Sequence, residues 1–273
     1  MTGRHRGWIA ALVLMGAWTA RAQAQILDER IAACDKGDTG ACRDAGAQLE
    51  QRAEFERAAG YYTRACDAKE GIACANLARL VARGITPGPY STANPSRAAQ
   101  LYQVSCDYEY APGCTTLATW LERGFPITSD VTRALGLYRR GCDLGDPEAC
   151  RRLGIAYEQG TGVIPNGGTA AQYYTRGCDG VDQPSCLRLG QMYELGQGVS
   201  SNPARAAQVY LRGCEANDAN ACVRLGSMYE EGRGVSRDTD RARALYRRAC
   251  DIGNNAACRL PLIAGDGVIV VPR

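Results

Sequence analysis

The sequence predicts an all-α fold, a solenoid of antiparallel helix pairs stacked one on the next and stapled by disulfides. Three observations predict it. Fourteen cysteines fall into seven pairs, each spaced C-x7-C. Upstream of six of the pairs, Ala and Tyr recur at intervals of four residues. Downstream of the most regular pairs, Leu, Gly and Tyr hold fixed positions and a Gly-x-Gly-Val element follows. Self-similarity at a period of a few tens of residues marks a repeat array, in which each unit buries its apolar face only against its neighbours.

Residues 1–24 read as a secretory leader. Arg4, His5 and Arg6 form a basic start, Trp8 to Trp18 is an apolar run, and Ala20-Arg21-Ala22 and Ala22-Gln23-Ala24 offer cleavage after Ala22 or Ala24. The run is shorter than the roughly 20 residues that a bilayer span needs. Loss of the leader takes Arg4, Arg6 and Arg21 with it, leaving 29 basic against 29 acidic residues. A mature chain of zero formal charge has no net basic field to attract nucleic acid or anionic lipid. It also keeps no histidine, since His5 is the only one. That removes Ser-His-Asp and Cys-His catalysis and any His-ligated metal.

Residues 25–41 are expected to form an N-terminal capping helix and the first turn, with a lone helix at Ile26–Cys34. Residues 42–257 hold six helix pairs. Counted back from the first Cys of a pair, position −4 is Tyr62, Tyr102, Tyr138, Tyr174, Tyr210 and Tyr246. Position −8 is Ala58, Ala98, Ala134, Ala170, Ala206 and Ala242. Steps of four place Ala, Tyr and Cys on one helical face, termed helix B. Counted forward from the second Cys, +3 is Leu153, Leu189 and Leu225, and +7 is Tyr157, Tyr193 and Tyr229. These form the buried stripe of a second helix, A, which ends at the C′ glycines Gly160, Gly196 and Gly232. Between the cysteines, Asp38, Asp146, Asp182, Asp218 and Asn254 stand four residues after the first Cys as N-caps for the helix A that follows. The residue directly after the first Cys, usually Asp (Asp35, Asp143, Asp179), reads as a turn device.

The spacing decides what the cysteines do. Residues eight apart on one continuous helix are separated by about 12 Å, and a disulfide needs Cα atoms within roughly 7 Å. The cap, Gly and Pro signals say that the chain reverses between them. The expected bridges are Cys34–Cys42, Cys66–Cys74, Cys106–Cys114, Cys142–Cys150, Cys178–Cys186, Cys214–Cys222 and Cys250–Cys258. Zinc sites and thiol–disulfide enzymes favour shorter Cys spacings, which are absent. An even count and uniform spacing imply an oxidising compartment, periplasmic or extracellular.

Two stretches depart from the repeat. The unit that opens at Cys66 carries four extra residues in the Pro- and Gly-rich loop Gly84–Ser96, a surface insertion. The last helix A, from Cys258, is broken by Pro261, so residues 258–273 are expected to form a truncated helix and a C-terminal cap.

The motif Ala-x-x-x-Tyr-x-x-x-Cys-Asp, followed by Ala-Cys-x-x-Leu-Gly-x-x-Tyr-x-x-Gly-x-Gly-Val, resembles the Sel-one-like repeat (SLR), a relative of the tetratricopeptide repeat. The paired cysteines make the resemblance specific to the cysteine-rich SLR proteins, the Helicobacter cysteine-rich protein group. It covers residues 26–258 and is strongest over 142–258. The resemblance implies a right-handed superhelix with disulfide-closed turns, secreted or periplasmic location and a role as a protein-interaction scaffold. It also implies an alternative, because some members are assigned penicillin binding or slow β-lactamase activity.

The residues supply no catalytic constellation for that alternative. The two lysines, Lys36 and Lys69, complete neither Ser-x-x-Lys nor Lys-Thr-Gly, and no phosphate-binding loop is present. No catalytic residue, metal or cofactor is therefore expected. Binding surface is the better lead. Position +2 of helix A is Arg152, Arg188 and Arg224 in three successive repeats, a potential column of guanidinium groups suited to carboxylates. Position +6 reads Trp120, Ala156, Met192 and Met228. Trp120, Met192 and Met228 are the apolar candidates for ligand contact on the concave helix-A face. The Tyr columns, in register with Ala and Cys, read as packing, with each hydroxyl directed to a backbone partner. The expected ligand is a protein, a peptide or peptidoglycan-related material. A purely structural envelope protein is the remaining alternative.

Overall fold

The computed structural model describes residues 23–86 and 92–260. Residues 1–22 of the expected leader, the middle of the insertion loop (87–91) and the segment 261–273 of the expected C-terminal cap lie outside the described residues. Thirteen α-helices, one short 3-10 turn and no strand occur among the described residues. The chain divides into two compact units, residues 1–113 and 114–273.

The first unit holds α1 (residues 23–35), α2 (Thr39–Gln51), α3 (Phe55–Asp67), α4 (Gly71–Ala82) and α5 (Pro95–Asp107). Here α2 packs on α3 and α4 on α5, and α3 against α4 joins the two pairs. The second unit begins within α6 (Ala111–Arg123). It continues with α7 (Val131–Asp143), α8 (Pro147–Gln159), α9 (Gly167–Asp179), α10 (Gln183–Leu195), α11 (Pro203–Glu215), α12 (Ala219–Glu231) and α13 (Thr239–Asp251). The pairs α8–α9, α10–α11 and α12–α13 are joined in turn by α9 against α10 and α11 against α12. Even-numbered helices from α2 onward are the A helices and odd-numbered ones the B helices. Among the described residues, the expected last helix A is represented by the 3-10 turn Ala257–Arg259.

Local chemistry sets most of the helix ends. The Asp38 carboxylate accepts from Ala41 N at 2.9 Å, Asp182 from Ser185 N at 2.9 Å and Asp218 from Asn220 N at 2.8 Å. Glu70, outside the Asp/Asn pattern, caps α4 by accepting from Ala73 N at 2.7 Å. Five of the B helices have their own N-caps, outside the pattern between the cysteines: Asn94, Asp130, Asn166, Asn202 and Asp238 each accept from the backbone N–H three residues on. Each such cap contributes about 1 kcal/mol. Gly160, Gly196 and Gly232 close α8, α10 and α12 in the left-handed conformation.

The core is the pair of stripes read from the sequence. The −8 alanines and the tyrosines Tyr62, Tyr138, Tyr174, Tyr210 and Tyr246 are buried, as are Leu153, Leu189 and Leu225. The rings of Tyr62, Tyr174, Tyr210 and Tyr246 rest where helix A has no side chain. A Cβ added at Gly154, Gly190 or Gly226 would come within 2.6, 2.4 and 2.6 Å of Tyr174, Tyr210 and Tyr246 respectively.

Bridges span the turns between helix B and the next helix A. In Cys34–Cys42, Cys66–Cys74, Cys142–Cys150, Cys178–Cys186, Cys214–Cys222 and Cys250–Cys258 the Cα atoms are 4.6–4.9 Å apart. Cys106 and Cys114 are also disulfide-bonded, and no cysteine is free. The third residue after the first Cys has positive φ in every ring: Gly37, Lys69, Glu109, Gly145, Val181, Asn217 and Gly253.

Asp35, Asp143 and Asp179 do more than shape these turns. Each pairs with an arginine of the following repeat, Arg64, Arg176 or Arg212, at 2.8, 3.0 and 2.7 Å. The same guanidiniums donate to the carbonyl oxygens of Cys34, Cys142 and Cys178 at 3.0, 2.8 and 3.1 Å. One side chain thus ties two features of the preceding turn.

Candidate functional site

The helix-A face is built from positions +1, +2 and +5, with +3 and +4 turned to the neighbouring helices and +7 at its edge. The structure separates the sequence candidates on this face. Met192 and Met228 are 1% and 0% exposed and belong to the core. No side-chain surface is left on either for a ligand, so they drop out as contact residues. Position +6 lies only about 60° around the helix from +3, at 100° per residue. The arc that a helix A buries against both its own helix B and the adjoining repeat is wide enough to include it. Trp120 is half-buried on α6.

The arginine column is not a row of equivalent free cations. Arg188 on α10 reaches Glu158 on α8, its Nε donating at 3.0 Å to Oε2 and its Nη2 donating to Oε1. Glu158 Oε2 also accepts the Tyr174 hydroxyl at 2.7 Å. Arg152 on α8 faces Glu122 at 3.5 Å and Glu148 at 3.4 Å, and Glu122 accepts the Tyr138 hydroxyl at 2.7 Å. The first unit repeats the arrangement with a shifted arginine. Arg79 grips Glu50 through both oxygens at 2.6 and 2.8 Å, and Tyr62 donates to the same carboxylate at 3.0 Å.

A carboxylate eight residues after the second Cys (Glu50, Glu122, Glu158, Glu194, Glu230) is therefore the partner of the buried tyrosine, in place of the backbone group expected. Its regular register with the cysteines was the signal available in the sequence. Burial alone would raise the Glu158 and Glu194 carboxyls. Donation from arginine and tyrosine outweighs it and holds both below the ordinary value. Desolvation first, and then the nearby carboxylate, pushes the Tyr174 and Tyr210 hydroxyls well above their usual range.

The third arginine departs from this scheme. Glu194 on α10 is taken by Arg233, which folds back from the loop after α12. Arg233 Nη1 meets Glu194 Oε1 at 2.5 Å and its Nε meets Glu231 Oε2 at 2.6 Å. Ser227 supports the group, donating to Glu231 at 2.8 Å. Arg224, at the column position, is exposed and makes no salt bridge or side-chain hydrogen bond among the described residues. It lies close enough to Glu194 to add to the positive field there.

Beside Arg224 runs an open groove of about 450 Å³ between α10 and α12, lined by Leu187, Gln191, Asn220, Val223, Arg224 and Ser227. Leu187 and Val223 are partly buried against the core below and give the groove an apolar floor. The Gln191 Oε1 accepts from Arg188 at 3.0 Å, and its amide nitrogen donates to no partner among the described residues. The Asn220 Oδ1 accepts from Asn254 at 3.2 Å. The +7 tyrosines flank the face as half-buried rings: Tyr157 stacks on Tyr173 at 5.6 Å, and Arg205 and Arg241 lie over Tyr193 and Tyr229 at 5.7 and 5.6 Å. No group of three or more metal-binding side chains occurs among the described residues. No described helix is long and apolar enough to cross a membrane.

Six consecutive segments match the Sel1 repeat: residues 40–69, 71–107, 111–146, 147–182, 183–218 and 219–254. The chain belongs to the Sel1 repeat family, whose repeats serve as scaffolds for protein interactions, and its junction disulfides make it a cysteine-rich member. Among solved structures, a protective antigen of uropathogenic Escherichia coli strains with an SLR fold is 23% identical, with a TM-score of 0.73. That match covers 85% of this chain and 50% of the antigen, so the chain spans half of that protein's length. A Sel1 repeat protein from Oxalobacter formigenes is 25% identical over 82% of this chain and 87% of its own, with a TM-score of 0.64. Helicobacter pylori cysteine-rich protein B is 29% identical over 50% of this chain and 97% of its own, with a TM-score of 0.39. No curated protein matches the chain.

Proposed function

We propose that this protein is an exported Sel1 repeat scaffold that binds protein or peptide ligands on the helix-A face of its second unit. The observation that carries the reading is the groove between α10 and α12, where an apolar floor, two side-chain amides and the exposed Arg224 meet in one open channel. Such a mixture of apolar bed and sparse polar groups suits an extended chain segment. The perturbed carboxylates hold the tyrosines of their own repeat and the arginines of the next, a holding role that leaves the face to recognition. Export is supported by the disulfide at every junction together with the leader composition of residues 1–24.

A photo-crosslinking amino acid placed at Val223, in the chain expressed in its own cells, tests the reading. Discrete protein adducts are expected from position 223 and not from the exposed Gln208 on α11. Identical adduct patterns from both positions, or none from 223, count against the helix-A face as the binding surface.

A further inference from the structure

The arginine that the repeat pattern would spend on holding rungs together is released in one place only within the column. Arg152 faces Glu122, and Arg188 grips Glu158. At the third rung Arg233 occupies Glu194 from the loop side, and Arg224 stays exposed at the edge of the α10–α12 groove. The exchange of one latch for the other joins Glu194 and Glu231 through a single guanidinium. Its effect is to leave a guanidinium facing open space beside an apolar floor.

We propose that the α10–α12 groove takes an acidic extended segment of a partner protein, with Arg224 as the anchor for an Asp or Glu side-chain carboxylate. The proposal rests on the peptide-binding reading above and specifies its ligand. A planar guanidinium offers paired donors to a carboxylate. The amide nitrogens of Gln191 and Asn220 supply donors for the segment's backbone carbonyls, and Leu187 and Val223 bed an apolar neighbour of the acidic residue. Arg233 is a positioning residue: with Glu194 neutralised, Arg224 has no internal carboxylate to fall back on. Without Arg233, Glu194 becomes the competing partner, as Glu158 is for Arg188.

The test uses random peptides displayed on phage at an internal site, so that no free carboxyl terminus is offered, selected on the disulfide-intact mature chain. Selected peptides with amidated C-termini are then titrated by fluorescence anisotropy. Enrichment in Asp and Glu is expected, with affinity reduced about tenfold by Arg224→Gln. Arg233→Gln is expected to weaken binding several-fold, and Glu194→Gln in that background to restore it. That rescue is a response that loss of structure would not give. Peptides without acidic enrichment, or bound equally by Arg224→Gln, overturn the carboxylate anchor while leaving the peptide-binding reading in place. Failure of any peptide to bind saturably overturns the reading beneath it.

Discussion

The ring of Tyr174 rests on the backbone of Gly154, with its Cε1 2.6 Å from where a Cβ on Gly154 would stand. Helix propensity favours alanine over glycine by about 1 kcal/mol, yet overpacking a tight contact costs about 1–3 kcal/mol. The ring is buried on all sides and has nowhere to retreat. Gly154→Ala is therefore expected to destabilise the α8–α9 repeat by up to about 2 kcal/mol. Amide hydrogen exchange checks this: faster exchange should be confined to α8 and α9. Adding Tyr174→Leu should recover part of the loss.

Acid should loosen the rungs from the carboxylate side. Donation from Arg79 is the largest influence on Glu50 and lowers it. For Glu158 and Glu194, arginine and tyrosine overcome a desolvation that acts the other way. Folded values below the unfolded one mean that the stability these groups contribute is complete above the ordinary carboxylate value of 4.5 and is lost as pH falls through the depressed folded values. Melting temperature should be flat from neutral pH to about 5 and then fall. A Glu50→Gln/Glu158→Gln/Glu194→Gln variant should start lower and fall less steeply. Parallel curves would remove these residues from the acid response.

Alkali should act through the buried tyrosines. Desolvation raises Tyr62, Tyr138, Tyr174, Tyr210 and Tyr246 above the ordinary value of 10.0. Their contribution is complete below that value and is lost as pH rises toward the folded ones. Tyrosinate absorbance from this buried column should therefore appear only together with loss of helical circular dichroism, and absorbance that grows in while the helical signal is intact would count against it.

Val181 occupies a left-handed backbone position at φ 68° inside the Cys178–Cys186 ring, with its side chain 66% exposed. A β-branched residue there costs about 1–2 kcal/mol, and an exposed valine returns little packing. Val181→Gly should stabilise the ring by about 0.5–1 kcal/mol after the greater entropy of glycine in the unfolded chain is charged against it. Asn217→Gly, at the same place in the next ring, should change stability by only a few tenths, because asparagine tolerates that region. Thermal unfolding of the two variants side by side makes the comparison.

Replacing Cys178 and Cys186 together by serine removes a nine-residue ring, worth about 2.6 kcal/mol by the loop-entropy relation. The loss should stay local, since each ring constrains only its own turn. Peptide-resolved hydrogen exchange should rise from α9 through α10 and remain unchanged in α2 and α3.

Much of the fold was legible because it depends on short-range rules. Helix periodicity, the capping Asp residues and the C-x7-C spacing act within a dozen residues, and the Ala, Tyr and Leu stripes follow from helix geometry. The candidate site was legible only in part, because its chemistry is set between repeats. Arg188 and Arg224 are indistinguishable in register, and what separates them is Arg233, nine residues beyond Arg224 and outside any helix. Met192 and Met228 looked available because +6 seemed to lie off the packing stripe; a helix clasped from two sides buries a broader arc. Glu158 and its equivalents carried a regular spacing, but a charged residue near the end of a helix reads as solvated until a buried tyrosine is found behind it.

Bonds between repeats reach about one period along the chain: 30 residues from Glu158 to Arg188, 31 from Arg151 to Asp182, 34 from Cys142 to Arg176 and 39 from Glu194 to Arg233. No rung depends on one further away for these ties. Excising residues 147–182, one period, would bring Arg188 into the place of Arg152 opposite Glu122 and set Cys186 where Cys150 had been. Length is thus a free variable of this architecture: the chain can gain or lose a whole period with every clasp finding an equivalent partner, while the irregular third rung, with its spare guanidinium, passes unaltered into the shorter molecule.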